Sequence, residues 1–266
     1  GVDGLGGGGG GNSAGGSGTF IIRYRKKIYQ DAFDDATGGE IVRRKGYQIH
    51  TFTTNGTFSL PHAGLVDVLL VGGGGGGGAN NDATKIGGGG GGAGGVVCIS
   101  NVVLAAGDHE VVVGLGGEAR KKGGDSSFFG LIAYGGGRGA DYNANSAPGD
   151  GASGGGATHL SVNEGVDGVV VPGGKALYGN QGHDGGSSVH RYGAAGGGGA
   201  GEAAPAVTTT HAGDGGDGVE LDFTGIPTWY AGGGCGYRNT STDSVGGKGG
   251  GGSWGEKGKD VLGGGG

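Results

Sequence analysis

The sequence predicts an all-β fold: a β-sandwich carrying a bundle of polyglycine II helices formed by its glycine runs. Three observations predict it. Glycine supplies 82 of the 266 residues, about 31% against the roughly 7% of ordinary globular chains. The glycines come in blocks, at 6–11, 72–78, 87–92, 196–199, 249–252 and 263–266. Between the blocks lie compact runs of Val, Ile, Leu and aromatic residues that alternate with period two, and no comparable helical stretch accompanies them.

Taken in order, residues 20–24 (FIIRY), 47–53, 57–60, 65–71 (LVDVLLV), 96–104, 110–115, 127–134, 169–171, 219–223 and 228–231 read as strands. In the run at 219–223, Val219, Leu221 and Phe223 alternate with Glu220 and Asp222, as a half-buried strand requires. Asn55-Gly56 stands between two alternating runs, and Ala106-Gly107-Asp108 separates VVL from EVVVG. Both read as hairpin turns.

The glycine blocks fit neither collagen, which needs glycine at every third position with abundant proline, nor a linker diluted by Ser, Pro and Gln; only five prolines are present. Ordering one residue costs roughly 1–2 kcal/mol of backbone entropy, most for glycine, while a hydrogen bond returns a net of about 1 kcal/mol. An isolated run is therefore expected to be disordered. Several runs side by side, extended as three-fold helices with a rise of about 3.1 Å per residue, can donate and accept laterally because no Cβ holds them apart. LVDVLLV leads directly into Gly72, and Gly94-Gly95 leads directly into VVCI, so strands pin these blocks and lower the entropy cost. A bundle is expected; flexible glycine loops hanging from the sandwich are the alternative.

The net charge of −6 and pI near 5.6 argue against a general nucleic-acid binder, which needs a basic surface. The one basic cluster, Arg23, Arg25, Lys26 and Lys27, reads as the solvated end of a strand. No apolar stretch approaches the length of a transmembrane helix, so membrane insertion is not expected. The chain begins at Gly1 and has no Met, as a processed product or an excerpt would. Cys98, inside VVCIS, is expected to be a buried thiol, and a disulfide between Cys98 and Cys235 stays open.

The first nine residues, GVDGLGGGG, and the last nine, GKDVLGGGG, agree at seven positions with an offset of 258 − 1 = 257 residues. The N-terminal copy continues into GGSGTFIIRYRK, whereas the other stops before any such strand. Two readings follow: one period of a tandem array cut out of phase, or subunits that polymerise by donating the strand with Phe20, Ile21, Ile22 and Tyr24 to a neighbour's open sheet edge. The division expected is an N-terminal glycine and strand arm at 1–30, a linker at 31–45 and a glycine-rich β-sandwich domain with its bundle at 46–266.

The succession GYQIHTFTTNGTFSLP, VDVLLVGGGGGGG, GGAGGVV, VVLAAGDHEVVVGLGG and SSFFGLIAYGGG resembles the glycine-rich domains of bacteriophage tail and tail-fibre proteins and of bacterial surface proteins. More distantly it is similar to the TNF-like and glycine-rich extracellular region of the anaplastic lymphoma kinase and leukocyte tyrosine kinase receptors, where polyglycine helices are inserted into a β-sandwich. Phage adhesins with polyglycine sandwiches offer a further analogy. The resemblance implies a TNF-like, jelly-roll-type sandwich and a non-enzymatic, extracellular or virion-exposed role, and carries over no binding residue.

The search for chemistry returns little. Histidines at 50, 62, 109, 159, 183, 190 and 211 show no HExxH and no zinc spacing. His183-Asp184 with Ser187 and Ser188 lie too close in sequence, on a glycine loop, for the positioned geometry of a triad. Asp214 and Asp217, alternating with glycine before a strand, are the best metal candidates, calcium being the cofactor they would take; with a single copy of the pattern, tight turns are the favoured account. Asn55 and Asn239 open glycosylation sequons. For adhesion, aromatic loops between glycine blocks are the physical candidates: Tyr142, Tyr178, His190, Tyr192, Tyr237 and Trp254. Trp229 and Tyr230 are expected in the core instead.

The expected function is a non-catalytic structural module of an extracellular or virion fibre that repeats or polymerises with its own kind. The alternative is a tail-fibre adhesin whose aromatic loops bind a host-surface glycan or protein. A glycan-active enzyme would need an acid/base pair that the sequence does not offer.

Overall fold

The period-two runs become strands in the computed structural model, which describes residues 1–25, 36–79, 87–142, 147–158, 193–207, 212–237 and 244–253. In order these are β1 (Thr19–Arg25), β2 (Glu40–Arg44), β3 (Tyr47–Phe52), β4 (Gly56–Leu60), β5 (Gly64–Val71), β6 (Val96–Leu104), β7 (Gly107–Val112), β8 (Ser126–Phe128), β9 (Leu131–Ala133), β10 (Val219–Leu221) and β11 (Thr228–Tyr230). A five-stranded sheet has the order β2-β3-β1-β5-β6, a four-stranded sheet β4-β7-β8-β9, and β10 pairs with β11 alone. Every pairing among them is antiparallel. Among the described residues no helix is long and apolar enough to cross a membrane.

The two larger sheets face each other across one core. Phe20, Ile22 and Tyr24 of β1, Phe52 of β3 and Val66, Val68 and Leu70 of β5 meet Phe58, Leu60, Val111, Phe128 and Ala133 from the other sheet. Phe20 stacks on Phe128 with ring centroids 4.4 Å apart. The alternate residues of the same strands, Ile21, Ile49, Leu69 and Val71, face outward and are covered by Phe223, Tyr230 and Ala231 of the β10–β11 hairpin. This double cover explains why β1 and β5 read as nearly continuous apolar runs rather than strict alternation.

Both hairpins expected from turn chemistry are corrected. Asn55-Gly56 joins β3 to β4, and Ala106-Gly107-Asp108 joins β6 to β7, but each pair belongs to different sheets, so these turns carry the chain across the sandwich. Asn55 serves that crossing by accepting the Val113 N–H at 2.8 Å. The expected strand at 127–134 is cut by a turn at Phe129-Gly130 into β8 and β9, and the one at 110–115 begins at Gly107. β2 lies within the stretch expected as a linker; its two-residue turn, with Lys45 at φ 49 and Gly46 at φ 80, is a primed hairpin turn without the usual Asn-Gly. The expected strand at 169–171 lies outside the described residues.

The cysteine expectation is also corrected. Cys98 is exposed and Cys235 buried, and both are free. Cys98 sits on β6, an edge strand along which only the end residues Val96 and Leu104 are fully buried. Cys235 lies inside the glycine bundle, where burial pushes its thiol up to about 11. Arg23, expected as solvated, is held between the rings of Tyr47 and Phe223 at 4.6 and 4.4 Å and pairs with Asp67 at 3.1 Å; Lys26 and Lys27 lie outside the described residues.

Beyond the sandwich, the glycine runs pack against one another. The segment at 87–95 is ringed by six others. It donates from Gly89, Gly92 and Gly95 to Ala140, Gly137 and Tyr134, from Gly90 and Ala93 to Ala195 and Gly198, and from Gly91 and Gly94 to Gly9 and Gly6. It accepts from Gly72, Gly75 and Gly78, from Ser153 and Gly156, and from Gly234 and Tyr237. All these bonds span 2.7–3.2 Å. Every third residue returns to the same neighbour, the repeat of an extended three-fold chain. The segment at 72–78 repeats the pattern, with Gly72, Gly75 and Gly78 bonding to one neighbour, Gly73 and Gly76 to a second, and Gly74 and Gly77 to a third. Backbone groups that a buried loop would orphan are thereby paired.

Candidate recognition surface at the far end of the glycine bundle

One end of the bundle is fixed by the sandwich, because Gly18, Gly72 and Gly95 run into β1, out of β5 and into β6. The other end is where the chain turns back. Asn12 turns there at φ 60 and donates to Gly78 at 2.7 Å. The Tyr142 N–H donates to the Ala79 carbonyl at 3.2 Å, that of Tyr237 to Gly88 at 3.0 Å, and the Thr158 hydroxyl to Gly87 at 3.1 Å. Thr158 also bridges to Ala194, which accepts from Gly213, and the Ser244 hydroxyl donates to Gly236 at 3.2 Å. The flanks of the stretches 80–86, 143–146, 159–192, 208–211 and 238–243 thus converge on one surface.

Charge collects at this end. The carboxylate of Asp141, itself largely buried, accepts the Ala79 N–H at 2.7 Å and pairs with Arg120 at 3.3 Å and Arg138 at 3.4 Å. This collar ties the ends of the segments at 72–79, 114–120 and 134–141 together. It was not among the residues singled out from sequence, although a signal existed. Arg138 and Asp141 interrupt an otherwise uncharged glycine and alanine run, and a charge can enter such a bundle only where a segment ends.

Two of the aromatic candidates, Tyr142 and Tyr237, stand on this surface, both half-buried. Tyr237 is packed closely, since a Cβ on Gly87 would come within 2.3 Å of its ring and one on Gly11 within 2.3 Å of its Cβ. Tyr178, His190, Tyr192 and Trp254 lie outside the described residues, as do His183, Asp184, Ser187, Ser188 and Asn239. Tyr230 is buried as expected, while Trp229 is only half-buried, with the Lys248 ammonium 4.8 Å from its ring.

Asp214 and Asp217 each hold a turn. Asp214 accepts the Val245 N–H at 2.8 Å, and Asp217 accepts the Lys248 N–H at 2.9 Å and its ammonium at 3.0 Å. Among the described residues no group of three or more His, Cys, Asp or Glu comes together in a metal-binding arrangement. Of the histidines, His50 is wholly buried; its Nδ1 faces the Gly38 carbonyl at 2.8 Å and its Nε2 the Tyr24 hydroxyl at 3.1 Å. Burial lowers its pKa.

The strand with Phe20, Ile21, Ile22 and Tyr24 is central in its own chain's sheet, between β3 and β5, and all four side chains are buried. The glycine run before it is built into the same bundle, Gly8 donating to Gly232 and Gly9 to Gly75. Within the N-terminal nonapeptide, Asp3 accepts the Ser17 N–H at 3.0 Å and Gly4 takes φ 80. The C-terminal nonapeptide has Val261 at the position of Gly4, and a β-branched residue resists that conformation.

Neither a curated protein nor a solved structure matches the chain. The profile of the glycine-rich domain family matches residues 52–266, which take in β4 to β11 and most of the bundle. With more than half of its length matched, the chain belongs to the glycine-rich domain family.

Proposed function

We propose that the chain is a non-catalytic structural module of an extracellular or virion fibre, in which a polyglycine II bundle acts as a stiff spacer and its far end is the recognition surface. The observation that carries this reading is the convergence, at one end of the bundle, of the described residues that flank five stretches of the chain, on a bundle whose interior glycines leave no room for a Cβ. A bundle bonded in every lateral direction resists bending far better than a solvated glycine linker. Loops positioned by such a scaffold can differ in sequence without disturbing it, and the aromatic candidates Tyr142 and Tyr237 stand on that surface.

The partners in this reading are other copies of the module and a host-surface glycan or protein. Assembly by trading β1 between copies would require opening the centre of the five-stranded sheet. Refilling the N-terminal slot with the C-terminal nonapeptide would place Val261 where Gly4 turns. Both costs favour copies that join through their surfaces.

The test uses the labelled full chain on intact bacteria and on immobilised cell-surface polysaccharide. Tyr142→Ser with Tyr237→Ser is expected to weaken binding by roughly tenfold or more, as loss of aromatic anchors does, measured at a temperature where the double variant is still folded. Binding that is unchanged in the double variant would overturn the recognition role.

A further inference from the structure

The five-stranded sheet ends in two edges that are unlike each other. β6 is interrupted by a bulge between its pairings with Val66 and Val68, and Asn101 there takes φ 60, a feature that spoils an edge for further pairing. β2 has no such defence. It pairs with β3 over five consecutive residues without a register shift, contains no proline, and leaves Ile41 and Val42 exposed at 46% and 40%.

The turn at Lys45-Gly46 determines which groups this edge offers. A two-residue turn makes Arg44 and Tyr47 a hydrogen-bonded pair, so Val42 and Glu40 also bond to β3. The N–H and C=O groups of Ile41 and Arg43 then point away from the sheet, free to bond a further strand. If that strand is a second β2 running antiparallel, Ile41 must oppose Ile41, Arg43 oppose Arg43, or Ile41 oppose Arg43. The first register sets Glu40 against Val42, and the second sets two arginines against each other. The third sets Glu40 against Arg44 at both ends and Val42 against Val42 on the two-fold axis, and it closes four backbone hydrogen bonds.

We propose that β2 is a homodimer edge, pairing with β2 of a second copy of this chain in the register Glu40 to Arg44, Ile41 to Arg43 and Val42 to Val42. Charge complementarity along EIVRR and the matching set of free backbone groups select a second copy as the occupant. The two five-stranded sheets become one continuous sheet of ten strands. Because the two-fold axis crosses the strands, the two bundles point in opposite directions and present their recognition surfaces at opposite ends. This inference rests on the reading of the chain as an assembling module and names one surface by which it assembles.

Sedimentation velocity of the full chain over a concentration series tests it. The unaltered chain is expected to form a dimer. Glu40→Arg alone and Arg44→Glu alone each oppose like charges at both ends of the pairing and are expected to weaken the dimer on the order of tenfold or more. The two substitutions together restore the opposite-charge pairs and are expected to recover it, which also shows that the altered chains fold. Dimers that persist unchanged in both single variants, or that the double variant fails to recover, overturn this edge while leaving self-assembly through another surface standing. A chain that stays monomeric to several hundred micromolar overturns both.

Discussion

At Gly91 a Cβ would sit 2.1 Å from the Gly75 carbonyl oxygen and 2.6 Å from its carbon, and both are backbone atoms that cannot swing away. At Gly46 it would meet nothing within 4 Å, but the residue holds φ 80. The two glycines are needed for different physical reasons, and substitution separates them. Gly91→Ala forces apart bonded segments and is expected to cost about 3 kcal/mol or more. Gly46→Ala pays only for the left-handed backbone, about 1–2 kcal/mol. Denaturant midpoints of the two variants check the order, and a Gly91 variant as stable as the Gly46 variant would mean that the runs are not in contact. Composition could place both kinds of glycine in the sequence but could not tell them apart beyond the blocks. The same blindness applies to the cysteines, because VVCIS looks like a core strand from within and only the sheet order makes β6 an edge.

Element by element, strands were legible where apolar residues alternate, and pairing partners were not. Asn55-Gly56 states that the chain turns; it does not state whether it returns to the same sheet. β2 was missed because EIVRR has four exposed residues and so carries little apolar signal. What ties these elements together includes a titrating group. His50 on β3 bonds Tyr24 on β1 and Gly38, next to the Thr37 bridge to β4, and it packs edge-on against Phe58 at 5.0 Å. Since Gly38 offers only an acceptor, Nδ1 carries the proton and Nε2 accepts from Tyr24. Protonation would set a charged ring N–H against the Gln48 side-chain NH2, 3.3 Å from Nε2 inside the core. Burial holds the folded pKa below the ordinary value of 6.5, so the folded state favours the neutral ring. That stability is fully present above pH 6.5 and is lost as pH falls from there toward the lowered pKa, by at most about 1.4 kcal/mol per pH unit. Between pH 7 and 5 the natural chain is therefore expected to lose stability faster than His50→Leu does, as measured by unfolding midpoints. Equal slopes would show that His50 is not the titrating group.

For the whole molecule, the sandwich and the bundle depend on each other. The strands hold one end of each of the runs at 72–78 and 87–95 in place, and the bundle in turn seats the N-terminal run that leads into β1. This mutual pinning was legible in sequence as LVDVLLV running into Gly72 and Gly95 running into VVCI. The six-fold surround of the segment at 87–95 was not, since it assembles neighbours from positions 6 to 237 that no local pattern links. The central claim is that the glycine runs are a laterally bonded interior and not linkers. Amide hydrogen exchange of the peptide covering 87–95 tests it most directly. The account predicts protection as strong as that of β1 and β5, because opening any one amide requires displacing neighbouring segments. Exchange at the rate of an unstructured glycine peptide, with the sandwich strands still protected, would contradict it.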